Sequence, residues 1–250
     1  MKSVKDTLLE RRSIRRYERE AISDDDMKLI YDAIRNTPTS YNGQQFSVID
    51  VTDPELKLKL YALIGQKQIK TCSHFLLFLA DYNKISLIAD DLGEDVPDFY
   101  NTIDGILVGA VDASLAMMSA VTMAESLGLG CCPIGYARTV AQEAVSTLLN
   151  LPKHTFVVCG LSIGVPREKP DLKPKQPEEL VVFPNTYPAD TSVMVDQLRD
   201  YNETIKAFNR TRAGDKTDND WATHILHYYS EALNAGMLRA LQRRGFDAKR

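Results

Sequence analysis

The sequence predicts an α+β domain in which helices pack on a mixed or largely antiparallel sheet. Capping-box patterns open helices at several points along the chain. Short β-rich apolar runs stand between them, and their spacing lacks the regular strand–helix–strand alternation of a parallel sheet. With 250 residues, 44% hydrophobic and 26% charged, the chain has material for one compact core plus an appendage.

Ser3-Val-Lys-Asp6 opens a first short helix that ends near Arg11, because a serine hydroxyl can accept from a backbone N–H in the first turn. Ser23-Asp-Asp-Asp26 opens a second, carrying Met27, Ile30, Tyr31 and Ile34 at helical spacing, with Pro38 beyond. Phe46 to Val51 reads as a strand, and Asp53-Pro54 starts a helix bearing Leu56, Leu60, Leu63 and Ile64. His74 to Ala80 is short, aromatic and continuous, as a strand buried on both faces should be. The acidic segment from Asp90 to Asp104, with Gly93 and Pro97, reads as exposed or as a mobile cover. A long buried helix follows, stopped by Gly128-Leu-Gly130. Cys131 to Gly135 suits a strand or a loop, Thr139-Val-Ala-Gln142 reads as another capping box, and Thr155 to Ile163 is a β-rich run.

From Pro166 to Pro188 six prolines fall within 23 residues, which predicts an extended connector. Val193, Leu198, Tyr201, Ile205 and Phe208 then mark a helix, and Trp221 to Arg244 a final amphipathic one. We therefore expect a core over residues 1–165 and, over 166–250, a proline-rich arm with a helical extension that packs on the core or on a second subunit.

A formal charge of −4 argues against a nucleic-acid or anionic-membrane binder, so any phosphate recognition must come from a local basic cluster. Cys72, Cys131, Cys132 and Cys159 form no CxxC, and MKSVKDTLLERRS has no apolar signal core. Reduced thiols in the cytoplasm are the expectation. The apolar stretch from Gly105 to Leu127 is interrupted by Asp112 and Glu125, which suits a helix inside a protein better than one inside a bilayer.

Three short segments offer chemistry. Arg11-Arg-Ser-Ile-Arg-Arg16 supplies guanidinium forks and a hydroxyl, through which Arg11, Ser13 and Arg15 can clasp a phosphate; the same cations would equally complement the end of the first helix and face water. Thr37-Pro-Thr-Ser-Tyr-Asn-Gly-Gln-Gln45 offers small hydroxyls and amides for the polar edge of a heterocycle, though its residues are also ordinary turn formers. Lys173-Pro-Lys175 holds two cations on a stiff backbone, or is simply a solvated linker, and Gly65-Gln-Lys67 is as ambiguous. His224 and His227 lack an HExxH and a third ligand, so no metal is expected. There is no nucleophile elbow, Walker A loop or GxGxxG. The residues alone give an anion-binding α+β protein.

Taken together in order, the motifs resemble the nitroreductase family, in its NADPH-dependent flavin reductase and major oxygen-insensitive branch. The resemblance rests on Arg12-Ser-Ile-Arg15, Gly65-Gln-Lys67, Ala80-Asp-Tyr-Asn83, Ala124 through Gly130 leading to Ile134-Gly135, Gly160 through Pro166, Asp171 through Lys175, and a Trp221-containing extension. It implies FMN held non-covalently at the interface of an intertwined homodimer, with NADPH or NADH as reductant in a ping-pong hydride shuttle. Nitroaromatics, quinones and free flavin are the implied acceptors. An FMN-binding protein without turnover is the alternative. Carried over by position, Arg11, Arg12, Ser13 and Arg15 fall on the FMN phosphate side, Thr39 and Gln66 on polar flavin or ribityl contacts, and Pro133, Ile134, Gly135 and Tyr136 on the backbone lining the ring. Lys173 and Lys175 would close on the phosphate, and Arg212 matches the nicotinamide-nucleotide loop. The cofactor supplies the redox chemistry, so no catalytic side chain is expected. The chain departs from the family pattern at Arg11 (usually histidine), Pro38 to Tyr41 (a serine run), Tyr136 (a second glycine) and Lys175 (arginine).

Overall fold

The computed structural model describes residues 1–232 and 236–248. They divide into a larger unit, Met1–Lys169 with the described part of Ala235–Arg250, and a smaller one, the described part of Pro170–Asn234.

The larger unit is built on a four-stranded sheet of order β1-β2-β4-β3, with β1 Phe46–Val51, β2 His74–Asp81, β3 Gly130–Ile134 and β4 Thr155–Gly164. All three pairings are antiparallel, so the largely antiparallel sheet read from the sequence is the one observed. The two central strands are buried on both faces, β4 along its whole length and β2 apart from its first residue. A bulge between Phe78 and Leu79 leaves Val158 as the extra residue opposite.

One face packs Leu76, Phe78, Ala80, Phe156 and Ile163 against α2 (Asp24–Arg35) and α5 (Ile103–Ser126). The helix α5 presents Ala113, Ala116, Ala120 and Ala124 inward, small side chains that let it lie close to the sheet. The other face packs Phe75, Leu77, Leu79 and Val157 against α3 (Pro54–Ile64), α6 (Tyr136–Thr139) and α7 (Gln142–Leu148). The chain end returns to this unit through α10 (Met237–Arg243): Phe246 is fully buried, its ring centroid 5.0 Å from that of Phe156.

The capping expectations hold where a hydroxyl meets an N–H. Ser3 accepts from Asp6 at the start of α1 (Val4–Glu10), and Ser23 from Asp26 at the start of α2. Thr139 does not follow them: it closes α6, and α7 begins after Ala141 with no side-chain cap. Part of the segment expected to be exposed cover is helical, since α4 spans Asn83–Leu92 and ends on Gly93 in the left-handed region. The final helix is two. α9 covers Trp221–Ala232, and Gly236, at φ 65°, precedes α10. In the smaller unit the proline-rich arm is irregular apart from a 3-10 turn at Glu178–Leu180, and α8 covers Ser192–Thr211.

Two glycines face each other across β3 and β4, Gly130 opposite Gly164. A Cβ on Gly130 would stand 2.9 Å from the Ile14 side chain, and one on Gly164 2.7 Å from the Tyr17 ring. Their bareness is what lets the segment after α1 lie against the sheet. Gly164→Ala should therefore cost about 1–3 kcal/mol by overpacking, readable as a fall in the thermal midpoint; an unchanged midpoint would mean that Tyr17 moves aside freely.

Candidate functional site

The arginine-rich segment leaves α1 at Arg11 and runs along the outer edge of β3. Ser13 bridges Cys131 in parallel fashion, and Ile14 N–H donates to the Cys131 carbonyl at 2.9 Å. Further on, Tyr17 bridges Pro166, and its hydroxyl lies 2.6 Å from the Ile14 carbonyl and 2.8 Å from Ser162 Oγ. Glu168 fastens the segment from outside by accepting from the backbone N–H groups of Arg15 (2.7 Å) and Arg16 (3.1 Å).

Extended backbone sends successive side chains to opposite sides, and this parity divides the arginines. Ile14 packs on Gly130 and, with Arg12, lines a cavity of about 410 Å³ that also includes Glu10, Glu125 and Arg167. Ser13 and Arg15 face the other way, toward Cys132. Burial pushes the Cys132 thiol up, while the Arg15 charge, hydrogen bonding from Ser13 and Gln68, and the Arg11 charge oppose that rise. Gln68 Nε2 lies 3.9 Å from Cys132 Sγ and donates to Gln66 Oε1 at 3.2 Å. The structure thus gathers Ser13, Arg15, Gln66, Gln68 and Cys132, places the Arg11 charge between Cys132 and Glu125, and sets the Arg12 side chain on the cavity that Ile14 and Glu125 line.

Beside this cluster β3 ends at an open surface. Pro133 and Gly135 are exposed and Ile134 is buried between them. A Cβ on Gly135 would meet nothing within 4 Å, so a flat ligand has access to the backbone there. Tyr136 is half-buried and packs on the α3–α7 side of the core. Arg11 Nη1 and Arg12 Nε are both buried with no hydrogen-bond partner, orphan cation donors that an anion would satisfy. A bidentate cation, a hydroxyl, two amides and an accessible glycine fit a phosphorylated heterocycle such as FMN.

Thr39 lies elsewhere. It precedes β1, at the opposite edge of the sheet from the arginine segment, which runs outside β3, four strand spacings or about 19 Å across. Its loop is pinned to α5, since Ser40 N–H donates to the buried Asp112 at 3.0 Å and the Thr37 and Ser119 hydroxyls meet at 2.8 Å. Within it Tyr41, Asn42 and Gln44 all have positive φ, at 57°, 53° and 51°. Left-handed non-glycine residues cost about 1–3 kcal/mol each and persist where their surroundings impose them.

Lys173 and Lys175 are exposed in the smaller unit, on either side of Pro174, whose carbonyl accepts from the Tyr201 hydroxyl at 3.3 Å. Arg212, at the end of α8, donates from Nε to the Asp215 carbonyl at 2.8 Å. Their assignment to cofactor and reductant rests on the resemblance. Gln68 was not singled out from the sequence, although it directly follows Gly65-Gln-Lys67, and Cys132 reads there only as a buried thiol.

The model of the nitroreductase family matches residues 8–165, and that of the family's C-terminal domain matches residues 173–249. The chain belongs to the nitroreductase family. This nitroreductase is 36% identical to FMN reductase [NAD(P)H] of Bacillus subtilis, over the full length of both chains. Among solved structures it resembles the hypothetical oxidoreductase YcnD from Bacillus subtilis, with TM-score 0.94, 35% identity and full coverage of both chains. It also resembles the NADPH:FMN oxidoreductase from Vibrio harveyi complexed with NAD+, with TM-score 0.85, 28% identity and 99% coverage of each chain.

Proposed function

We propose that this nitroreductase is a homodimeric, cytoplasmic, FMN-dependent NAD(P)H oxidoreductase whose flavin sites are each completed by the second copy. The observation that carries the reading is the convergence of Arg11, Ser13, Arg15, Gln66 and Gln68 beside the open Gly135 backbone, with a buried guanidinium nitrogen awaiting an acceptor. FMN held there would supply the redox chemistry, hydride uptake from NADPH or NADH and two-electron reduction of an acceptor such as a quinone, nitroaromatic or free flavin.

The chain's own part is to hold and polarise. Arg11, Ser13 and Arg15, on one side of the extended segment, take the anionic and polar end of the cofactor, and Glu168 keeps the Arg15 backbone in place. Gln66 and Gln68 supply amide donors. Pro133 and Gly135 leave the ring accessible, and Tyr136, packed toward the core, leaves the face open for turnover. By parity Arg12 serves the neighbouring cavity instead. The FMN-binding core is the 1–165 region, with Lys173, Lys175 and Arg212 assigned by resemblance to phosphate and reductant.

The dimer reading has its own support. The outer face of α5 carries Ile103, Leu107, Val111, Leu115 and Met118, each between 40% and 55% exposed, at the spacing of one helical stripe. Such a stripe marks an interaction surface. A two-fold interface pairs identical surfaces. The Thr39 loop is anchored at the middle of α5, through Asp112 and Ser119, beside this stripe, so a second copy packed on α5 would meet it.

The visible absorption spectrum of the purified protein, repeated after anaerobic addition of NADPH and then NADH, tests the function. A flavin spectrum that bleaches is expected. Bound flavin that stays oxidised would favour the binding protein without turnover, and a protein that neither carries nor takes up FMN would overturn the reading.

A further inference from the structure

The cavity outside β3 holds more positive charge than its own chain uses. Lys2, Arg12, Arg167 and Lys169 stand around it with Glu10, Glu125 and Glu168, yet among the described residues none of these four cations closes an ion pair. Two of the carboxylates are engaged elsewhere. Glu168 accepts from the backbone N–H groups of Arg15 and Arg16. Glu125 accepts from Cys131 Sγ at 3.7 Å, where burial pushes its carboxyl up against the opposing charges of Lys2, Arg11 and Arg12. Arg12 is itself held in place, since its Nη1 donates to the Glu10 carbonyl at 3.0 Å, while its Nε is buried with no partner. A guanidinium nitrogen can only donate, so only an acceptor satisfies it. The rest of the wall is apolar: Ile14, Leu129 and Pro166 line it, and Gly128 and Gly130 leave it bare. At about 410 Å³ the cavity falls within the roughly 300–1,000 Å³ of small-molecule sites, which leaves room for an organic body beside a charged head.

We propose that this cavity is a second ligand site, which takes a small phosphorylated organic molecule with its phosphate on Arg12 and its carbon skeleton against Ile14, Leu129 and Pro166. Arg12 Nε donates to a phosphate oxygen, a charge-assisted bond stronger than a neutral one, and Lys2, Arg167 and Lys169 balance the remaining charge. The site is distinct from the flavin cluster. Along the extended segment Ser13 and Arg15 turn toward Cys132, whereas Arg12 and Ile14 turn toward this cavity. None of its lining residues belongs to that cluster, so the site does not depend on the flavin reading.

The test titrates phenyl phosphate into the FMN-loaded protein and follows binding by phosphorus NMR. FMN occupies its own phosphate site, and its resonance reports whether the probe displaces it. Phenyl phosphate should bind saturably, and inorganic phosphate at least about threefold more weakly because it leaves the apolar wall uncovered. Arg12→Ala should weaken phenyl phosphate binding about tenfold, the scale of one charge-assisted hydrogen bond. Arg167→Ala truncates an exposed side chain of the same cavity, keeps the fold, and should weaken binding about threefold. Arg16→Ala removes an equal charge from the same segment outside the cavity and should leave binding within twofold. The inference is overturned by the absence of saturable binding, by an equal loss in the Arg16 and Arg12 variants, or by release of FMN as the probe binds. A protein that takes up no FMN overturns the flavin reading alone. The titration is then made on the protein as purified, where loss in the Arg12→Ala variant supports the second site and loss in Arg15→Ala instead overturns it.

Discussion

Arg15→Ala should weaken FMN binding by roughly ten- to a hundredfold, while Arg12→Ala changes it by less than threefold. The contrast comes from the parity of the segment that follows α1. Ser13 pairs with Cys131 on the edge of the sheet, so Arg15 shares the side on which Ser13, Gln68 and Cys132 meet. Arg12 lines the cavity on the other side, with Ile14, Glu10 and Glu125. A charge-assisted hydrogen bond contributes about 1.5–3 kcal/mol, which converts to the stated range of dissociation constants. Titration of apoprotein with FMN, followed by quenching of flavin fluorescence, gives both values. If Arg12→Ala weakens binding as much as Arg15→Ala, the cofactor lies across both sides of the segment and the parity argument fails.

The same parity shows why only part of this site was legible. A run of arginines reads as one cluster in any conformation, and only the bridge to β3 sorts its members. That bridge depends on Gly130 and Gly164, far apart in sequence and opposite each other in the sheet. The strand β2 was legible because continuous apolar composition fixes both its identity and its burial. β3 was not, since Cys131 to Gly135 is a strand only by virtue of its pairing with β4.

The helix α4 was hidden for a different reason. It starts after Tyr82 with no side-chain cap, so no start signal marks it; the spacing of Ile85, Ile88, Ala89 and Leu92 before Gly93 is the signal that could have found it. Gly236, with its positive φ, stands directly before α10, within a sequence whose apolar periodicity suggests continuity. Thr39 is assigned to the flavin by resemblance alone, and in the single chain it stands at the opposite edge of the sheet from the arginine segment.

That separation carries the prediction with the largest effect. Leu115→Glu should convert the protein to a monomer and, with it, abolish stable FMN binding. Leu115 is 43% exposed in the single chain, in the middle of the α5 stripe, so a carboxylate there costs the isolated fold little. In a two-fold interface the substitution appears on both surfaces at once, desolvating two like charges against each other. Sedimentation should then report a mass near 28.0 kDa, in place of the twofold larger mass expected of the proposed dimer. The far-ultraviolet circular dichroism should stay unchanged. FMN loss follows because a monomer keeps Arg11, Ser13 and Arg15 but leaves each Thr39 loop on the wrong edge of its own sheet. Leu58→Glu is the matched control: it is also exposed, but lies on α3, which covers the opposite sheet face, and should change neither mass nor flavin content. A Leu115→Glu protein that remains dimeric would place the interface elsewhere than on α5. One that is monomeric and still holds FMN tightly would show that a single chain completes the site, and the composite arrangement would then be wrong even with the dimer correct.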